Sequence, residues 1–170
     1  MATESDFDLI LAALERRKVR YLVVGGVAVV LHGCPRFTAD LDLVVALDSP
    51  NVVAAMEALA SLGYRPRAPV SGLDFADAEK RREWVQDKDL VVFGLWSPDH
   101  PATEVDIFVE EPFPFDEARA RCVRAALGSI EVPIASVADL IALKRKAGRP
   151  KDEEDIRRLE EIVGLGSDHG

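Results

Sequence analysis

The segment from Val24 to Val45 constrains this chain more than any other. It runs Val24-Gly25-Gly26-Val27-Ala28, then His32-Gly33, then Arg36-Phe37-Thr38-Ala39-Asp40-Leu41-Asp42. Tyr21 to Val24 predicts a short strand, the glycine pair a tight turn, and Val27 to Leu31 an apolar helix. Leu41 to Leu47 predicts a second strand, apolar on both faces and therefore central in its sheet. Asp40 and Asp42 share one face at its start, with Cα atoms about 6–7 Å apart. Two carboxylates there are costly unless something offsets their charge. Divalent cations answer that problem: two Mg²⁺ ions about 3.5–4 Å apart, held by shared carboxylates, clamp in-line displacement at phosphorus. The competing reading is a pair of aspartates solvated at a strand end.

Three further features extend this pattern. A glycine pair between strand and helix lets the backbone approach a ligand and favours phosphate at the helix start, although a plain turn has the same sequence. Asp106 interrupts the predicted strand Glu104 to Val109, where an aspartate is disfavoured and needs compensation, from a metal or from a structural salt bridge. In a helix opening at Ser136, positions 137, 140, 141 and 144 share one face, so Lys144 ends an apolar stripe. Its ammonium then meets an anion, either the aspartate cluster or a nucleotide phosphate, or else snorkels to solvent.

The 170 residues fit one domain with a real core, and 48% hydrophobic with 30% charged residues excludes a disordered chain. The net charge of −9 argues against non-specific coating of DNA. No apolar run reaches the ~18–20 residues of a membrane span. The opening MATESDFDLI lacks signal-peptide order, and the two cysteines build no disulfide framework, so a cytoplasmic setting is expected.

Elsewhere the pattern predicts helices over about 5–18 and 51–62, the second turning Val52, Met56, Leu59 and Leu62 inward. Strands over 90–96 and 104–109 are expected to pair as a hairpin, a helix covers 115–122, and strand-like pieces flank Gly128-Ser129. Residues 66–88 are the least readable, with a helical turn around 76–84 and a possible lid bearing Arg81 or Arg82. Ser136 is an N-cap with Asp139 in capping-box position, and Gly148 and Pro150 close that helix. A last helix from near Asp152 buries Ile156, Leu159, Ile162 and Val163. The whole reads as an α/β (α+β) fold: a mixed sheet flanked by helices, with a core over 1–135 and a helical pair over 136–170 packed on it. His32, His100 and His169 show no ligand-like grouping, and Trp84 and Trp96 read as packing residues.

Gly25-Gly26, Arg36-x-Thr38-x-Asp40-x-Asp42, Asp106 and the closing Ala142-Leu143-Lys144-x-x-Ala147-Gly148-Arg149-x-Lys151-Asp152-x-x-Asp155 resemble the DNA polymerase beta-like nucleotidyltransferase superfamily. Within it the chain is most similar to the small bacterial abortive-infection and toxin–antitoxin-type group. Gly26 stands where many members have Ser, which removes a hydroxyl that could bind phosphate. The resemblance implies transfer of a nucleoside monophosphate from an NTP to an acceptor hydroxyl, with pyrophosphate released. Asp40, Asp42 and Asp106 are then the catalytic metal carboxylates, Gly25 and Gly26 the phosphate cradle, and Lys144 a phosphate counter-charge assisted by Arg36 or Thr38. The expected acceptor is tRNA or a protein, with a possible antitoxin partner. The alternatives are a small antibiotic-type acceptor and a nucleotide- or partner-binding module without turnover.

Overall fold

The structure, a computed structural model, describes residues 5–167. Helix α1 (Asp6–Arg16) is held at its start by Ser5 and Asp8, each side chain accepting the other's backbone N–H. Strand β1 (Tyr21–Val24) then passes directly into α2 (Gly25–Leu31), so the glycine pair is the first turn of the helix. Strand β2 (Leu41–Val45) and helix α3 (Ser49–Ala60) follow, the latter capped by Asp48, whose side chain accepts the Asn51 N–H. Next come β3 (Arg65–Pro66), a 3₁₀ turn (Gly72–Ala76), α4 (Ala78–Lys88), β4 (Val92–Trp96) and β5 (Val105–Phe108). Helix α5 (Phe115–Ala120), the hairpin β6 (Val123–Leu127) and β7 (Ile130–Ile134), α6 (Val137–Ala147), a 3₁₀ turn (Pro150–Asp152) and α7 (Glu153–Ser167) complete the order.

The strands form one mixed sheet in the order β3-β4-β5-β2-β1-β7-β6. Strand β2 runs antiparallel to β1 and parallel to β5, and every residue of β1 is buried. Alternation fixes which side chains share a face. Leu41, Leu43, Phe93, Leu95, Val105 and Ile107 are all buried in the core, whereas Asp42, Val92, Gly94, Asp106 and Phe108 between them are half-buried. One face of β4-β5-β2 is therefore packed and the other lines an open cleft. The hairpin expected over 90–109 is present, with Gly94 opposite Asp106.

Residues 66–88 are more ordered than their polar composition suggests. Asp77 caps α4, Trp84 stacks on Phe93 with ring centroids 5.3 Å apart, and Phe75 is fully buried. Arg81 is 7% exposed and donates to the carbonyls of Phe75 and Leu47. It is a structural cation under the 3₁₀ turn, where the sequence suggested a lid residue. In the last helix Leu159 is buried but Val163 is 53% exposed, because the buried stripe of α7 begins instead with Asp155. Asp139 accepts from the Ser136 hydroxyl and from Arg121, which holds the start of α6 against the β-hairpin side of the sheet. Among the described residues no helix is long and apolar enough to cross a membrane.

Candidate active site

The parallel register pairs Asp42 on β2 with Asp106 on β5, so both side chains leave the same face of adjacent strands. Asp40 precedes β2 by one residue and is exposed at the mouth of the same cleft. The cleft measures about 1160 Å³ and also receives Gly25, Gly26, Arg36, Thr38 and Lys144. All eight residues singled out in the sequence thus converge on one cavity.

The glycines are fixed by close approach. Gly25 has φ +68°, and a Cβ on it would lie 2.1 Å from Asp42 Oδ2. A Cβ on Gly26 would lie 2.6 Å from Thr38 Oγ1. The position a serine side chain would need at residue 26 is therefore already filled by a hydroxyl, contributed from the strand side by Thr38. Gly94 plays a similar part on the far flank, since a Cβ there would be 3.3 Å from Asp106 Oδ1.

Crowding of carboxylates sets the electrostatics. Burial, with Asp106 and Asp40 nearby, pushes the Asp42 carboxyl up to about 6, against the opposing pull of Arg149 and Lys144. Burial and Asp40 likewise raise Asp106, with Arg67 acting the other way. Neither carboxylate has a hydrogen-bond donor from the protein among the described residues. Among those residues no three His, Cys, Asp or Glu side chains are drawn close enough to enclose an ion as they stand. The donor set is nonetheless hard oxygen, the chemistry that suits Mg²⁺, and its charge is repulsive without a cation.

Lys144 finds its anion within the protein. It is 7% exposed, with Nζ 3.0 Å from Asp155 Oδ2 and 3.4 Å from Asp152 Oδ1. Asp155 also pairs with Arg36, and Asp152 with Arg149 at 2.8 Å. Arg158 donates to Pro35 O at 2.8 Å. This network ties α6 and α7 to the loop between the glycine helix and the aspartate strand. Sequence reasoning gave Asp152 and Asp155 no role; their spacing of three residues, placing both on one helical face behind Lys144, was the available signal. Gly94 was also missed, although a glycine inside a strand marks a close approach.

The two described histidines have structural partners: His32 Nε2 meets Ala135 O at 2.8 Å, and His100 Nδ1 meets Asp6 Oδ1 at 2.8 Å. His169 lies outside the described residues. Trp84 is a packing residue, and Trp96, 37% exposed, carries the Arg65 guanidinium 5.3 Å from its ring.

No curated protein matches the chain. Solved structures share its fold at low identity. Lincosamide antibiotic adenylyltransferase LnuA, lincomycin-bound, superposes with a TM-score of 0.61 at 19% identity over 95% of this chain and 98% of that one. Antibiotic-resistance factor ANT(2'')-Ia in solution gives 0.58 at 16% identity, over 96% and 90%. A putative nucleotidyltransferase from Thermotoga maritima gives 0.52 at 15%, over 89% and 88%. The sequence profile described as nucleotidyl transferase AbiEii toxin, Type IV TA system, matches residues 10–158. With that match and a polymerase beta-like fold, the chain is a nucleotidyltransferase and belongs to the AbiEii toxin family of type IV toxin–antitoxin systems.

Proposed function

We propose that this protein moves a nucleoside monophosphate from an NTP to an acceptor hydroxyl, releasing pyrophosphate, in a Mg²⁺-dependent reaction. The observation that carries the reading is the pairing of Asp42 with Asp106 across β2 and β5, facing a cleft that Gly25 opens. Asp40, Asp42 and Asp106 would hold Mg²⁺, which supplies charge neutralisation at the triphosphate and a more acidic acceptor hydroxyl. Glycine at 25 and 26 leaves backbone rather than side chain against the phosphates. Arg36 and Thr38 line the same cleft and offset phosphate charge or donate to it, and Lys144, held by Asp152 and Asp155, adds positive charge at its wall. Asp106, flanked by Gly94, is the carboxylate with room for an acceptor and takes its proton. Such catalysis is positioning plus electrostatic stabilisation, so loss of one carboxylate costs orders of magnitude in rate.

The acceptor on this reading is a macromolecule, tRNA or protein, in keeping with a toxin role that a cognate antitoxin would restrain. The shared fold and length with lincomycin-bound LnuA support a second reading, a small hydroxylated acceptor. Incubation with each α-labelled NTP, Mg²⁺ and cell extract tests both. Label entering RNA, protein or a small-molecule fraction identifies the acceptor, and Asp42→Asn should abolish transfer while keeping the fold. Undiminished transfer by that variant removes the assignment.

A further inference from the structure

Asp42, Asp106 and Gly94 lie in one row across three neighbouring strands, and Val24, just before the glycine bend, continues that row on β1. The row gives transfer an axis. A triphosphate cradled at Gly25 and Gly26 presents its α-phosphorus to Asp42, with the bridging oxygen to the β-phosphate on the glycine side. The attacking and leaving oxygens are in line at phosphorus. The acceptor hydroxyl therefore enters from the opposite side, over Gly94, where the strand carries no side chain. The nucleoside hangs from the α-phosphorus off that axis. Two directions remain for it: out through the mouth past exposed Asp40, or along the strands into the floor of the cleft.

That floor is apolar on two sides. Two residues along the strands from Asp106 and Gly94, Phe108 and Val92 are paired and leave the same face. From the helix side, Leu140 and Leu143 share one face of α6 and line the same cleft. Leu140 is buried, whereas Leu143, Phe108 and Val92 are half-buried. Among the described residues the Phe108 ring stacks on no other ring, although Phe93, on the packed face of β4, stacks on both Phe75 and Trp84. Two residues of strand advance about 7 Å, a step that one ribose bridges between the α-phosphorus and a base.

Resting on the nucleotidyltransferase reading above, we infer that Phe108 is the base-stacking residue for the incoming NTP, the base lying between its ring and Leu143. The base removes the exposed part of both side chains from water and gives the Phe108 ring the stacking partner it lacks within the protein. Stacking reads the flat face of a base and not its edge, so the slot holds any nucleobase and fixes the ribose and α-phosphorus against Asp42 and Asp106. The acceptor keeps the Gly94 side, clear of the slot.

The test measures binding, in Mg²⁺ buffer, of each NTP, of ribose 5′-triphosphate without a base, and of inorganic triphosphate. The best NTP should bind about tenfold tighter than ribose 5′-triphosphate, as expected for one stacked base. Phe108→Leu keeps an apolar side chain without the ring; it should raise the Kd for that NTP about tenfold and leave inorganic triphosphate binding as in the native protein. Phe108→Trp should retain NTP affinity. An NTP that binds no tighter than ribose 5′-triphosphate overturns the inference and leaves the nucleotidyltransferase reading standing. So does native NTP affinity in Phe108→Leu, or a loss that inorganic triphosphate shares equally, which would mark Phe108 as a packing residue. Absence of pyrophosphate release with every NTP, Mg²⁺ and cell extract overturns both.

Discussion

A single added methyl group on Gly25 would stand 2.1 Å from Asp42 Oδ2, closer than any non-bonded carbon and oxygen can approach. The glycine bend and the aspartate strand are thus one unit, built by the antiparallel pairing of Val24 with Asp42. Gly25→Ala must move the carboxylate or the backbone, and φ +68° adds about 1–2 kcal/mol of backbone strain. On the proposed function, displacing the Asp42 carboxylate by roughly an ångström should lower transfer about a hundredfold. Steady-state kinetics beside a urea melt separate the two effects, and a fully active Gly25→Ala would refute the coupling.

Gly26 and Thr38 make a reciprocal pair. Gly26→Ser puts its Cβ 2.6 Å from Thr38 Oγ1, so that variant should lose stability and activity. Removing the hydroxyl with Thr38→Ala should restore both in the double variant, because the serine then supplies the missing group. The expected coupling is more than about 1 kcal/mol, read as a double-mutant cycle on unfolding free energy. Additive losses would mean that the two positions do not compete for the same space.

The raised Asp42 carboxyl makes a signed prediction about pH. With Asp42 pushed up to about 6, the folded state without divalent cations favours the neutral acid. That contribution is fully present below the ordinary carboxylate range near 4 and is lost as pH rises through about 6. In EDTA, Asp42→Asn should therefore be more stable than the native protein at pH 7.5, by of order 2 kcal/mol, with the gap closing near pH 4. Mg²⁺ should stabilise the native chain and not the variant, as ligand binding to the folded state requires. Thermal melts with EDTA and with Mg²⁺ at both pH values check this; a gap independent of pH contradicts it.

How much of this was readable from the chain follows from the range of the interactions. Tyr21–Val24, the Asp40-x-Asp42 pair and the hairpin around Gly128 rest on local alternation and turn chemistry, and each lies where the pattern placed it. Residues 66–88 escaped because their order comes from distant partners. Trp84 is fixed by Phe93 and Arg81 by the Leu47 carbonyl, neither of which leaves a periodic trace. Likewise the inward stripe ending at Lys144 was legible, but its anions were not. Asp152 and Asp155 reach it only after the chain turns at Gly148 and Pro150. The convergence of the three aspartates depended on a parallel β2–β5 register that no local pattern determines.

The Lys144 network yields the remaining prediction. Its ammonium sits between Asp152 and Asp155, while each carboxylate keeps one guanidinium of its own, Arg149 and Arg36 respectively. Lys144→Met therefore leaves two buried anions half compensated. The loss should fall below the 3–5 kcal/mol of a fully orphaned charge, at about 2–3 kcal/mol. Asp155→Asn alone frees Arg36 and loosens the loop before Asp40, so it too should destabilise. Combining it with Lys144→Met should cost less than the two separately, since the second change removes a charge the first had stranded. Chemical denaturation of the single and double variants measures this directly, and strict additivity would show that Lys144 and Asp155 do not act as a pair.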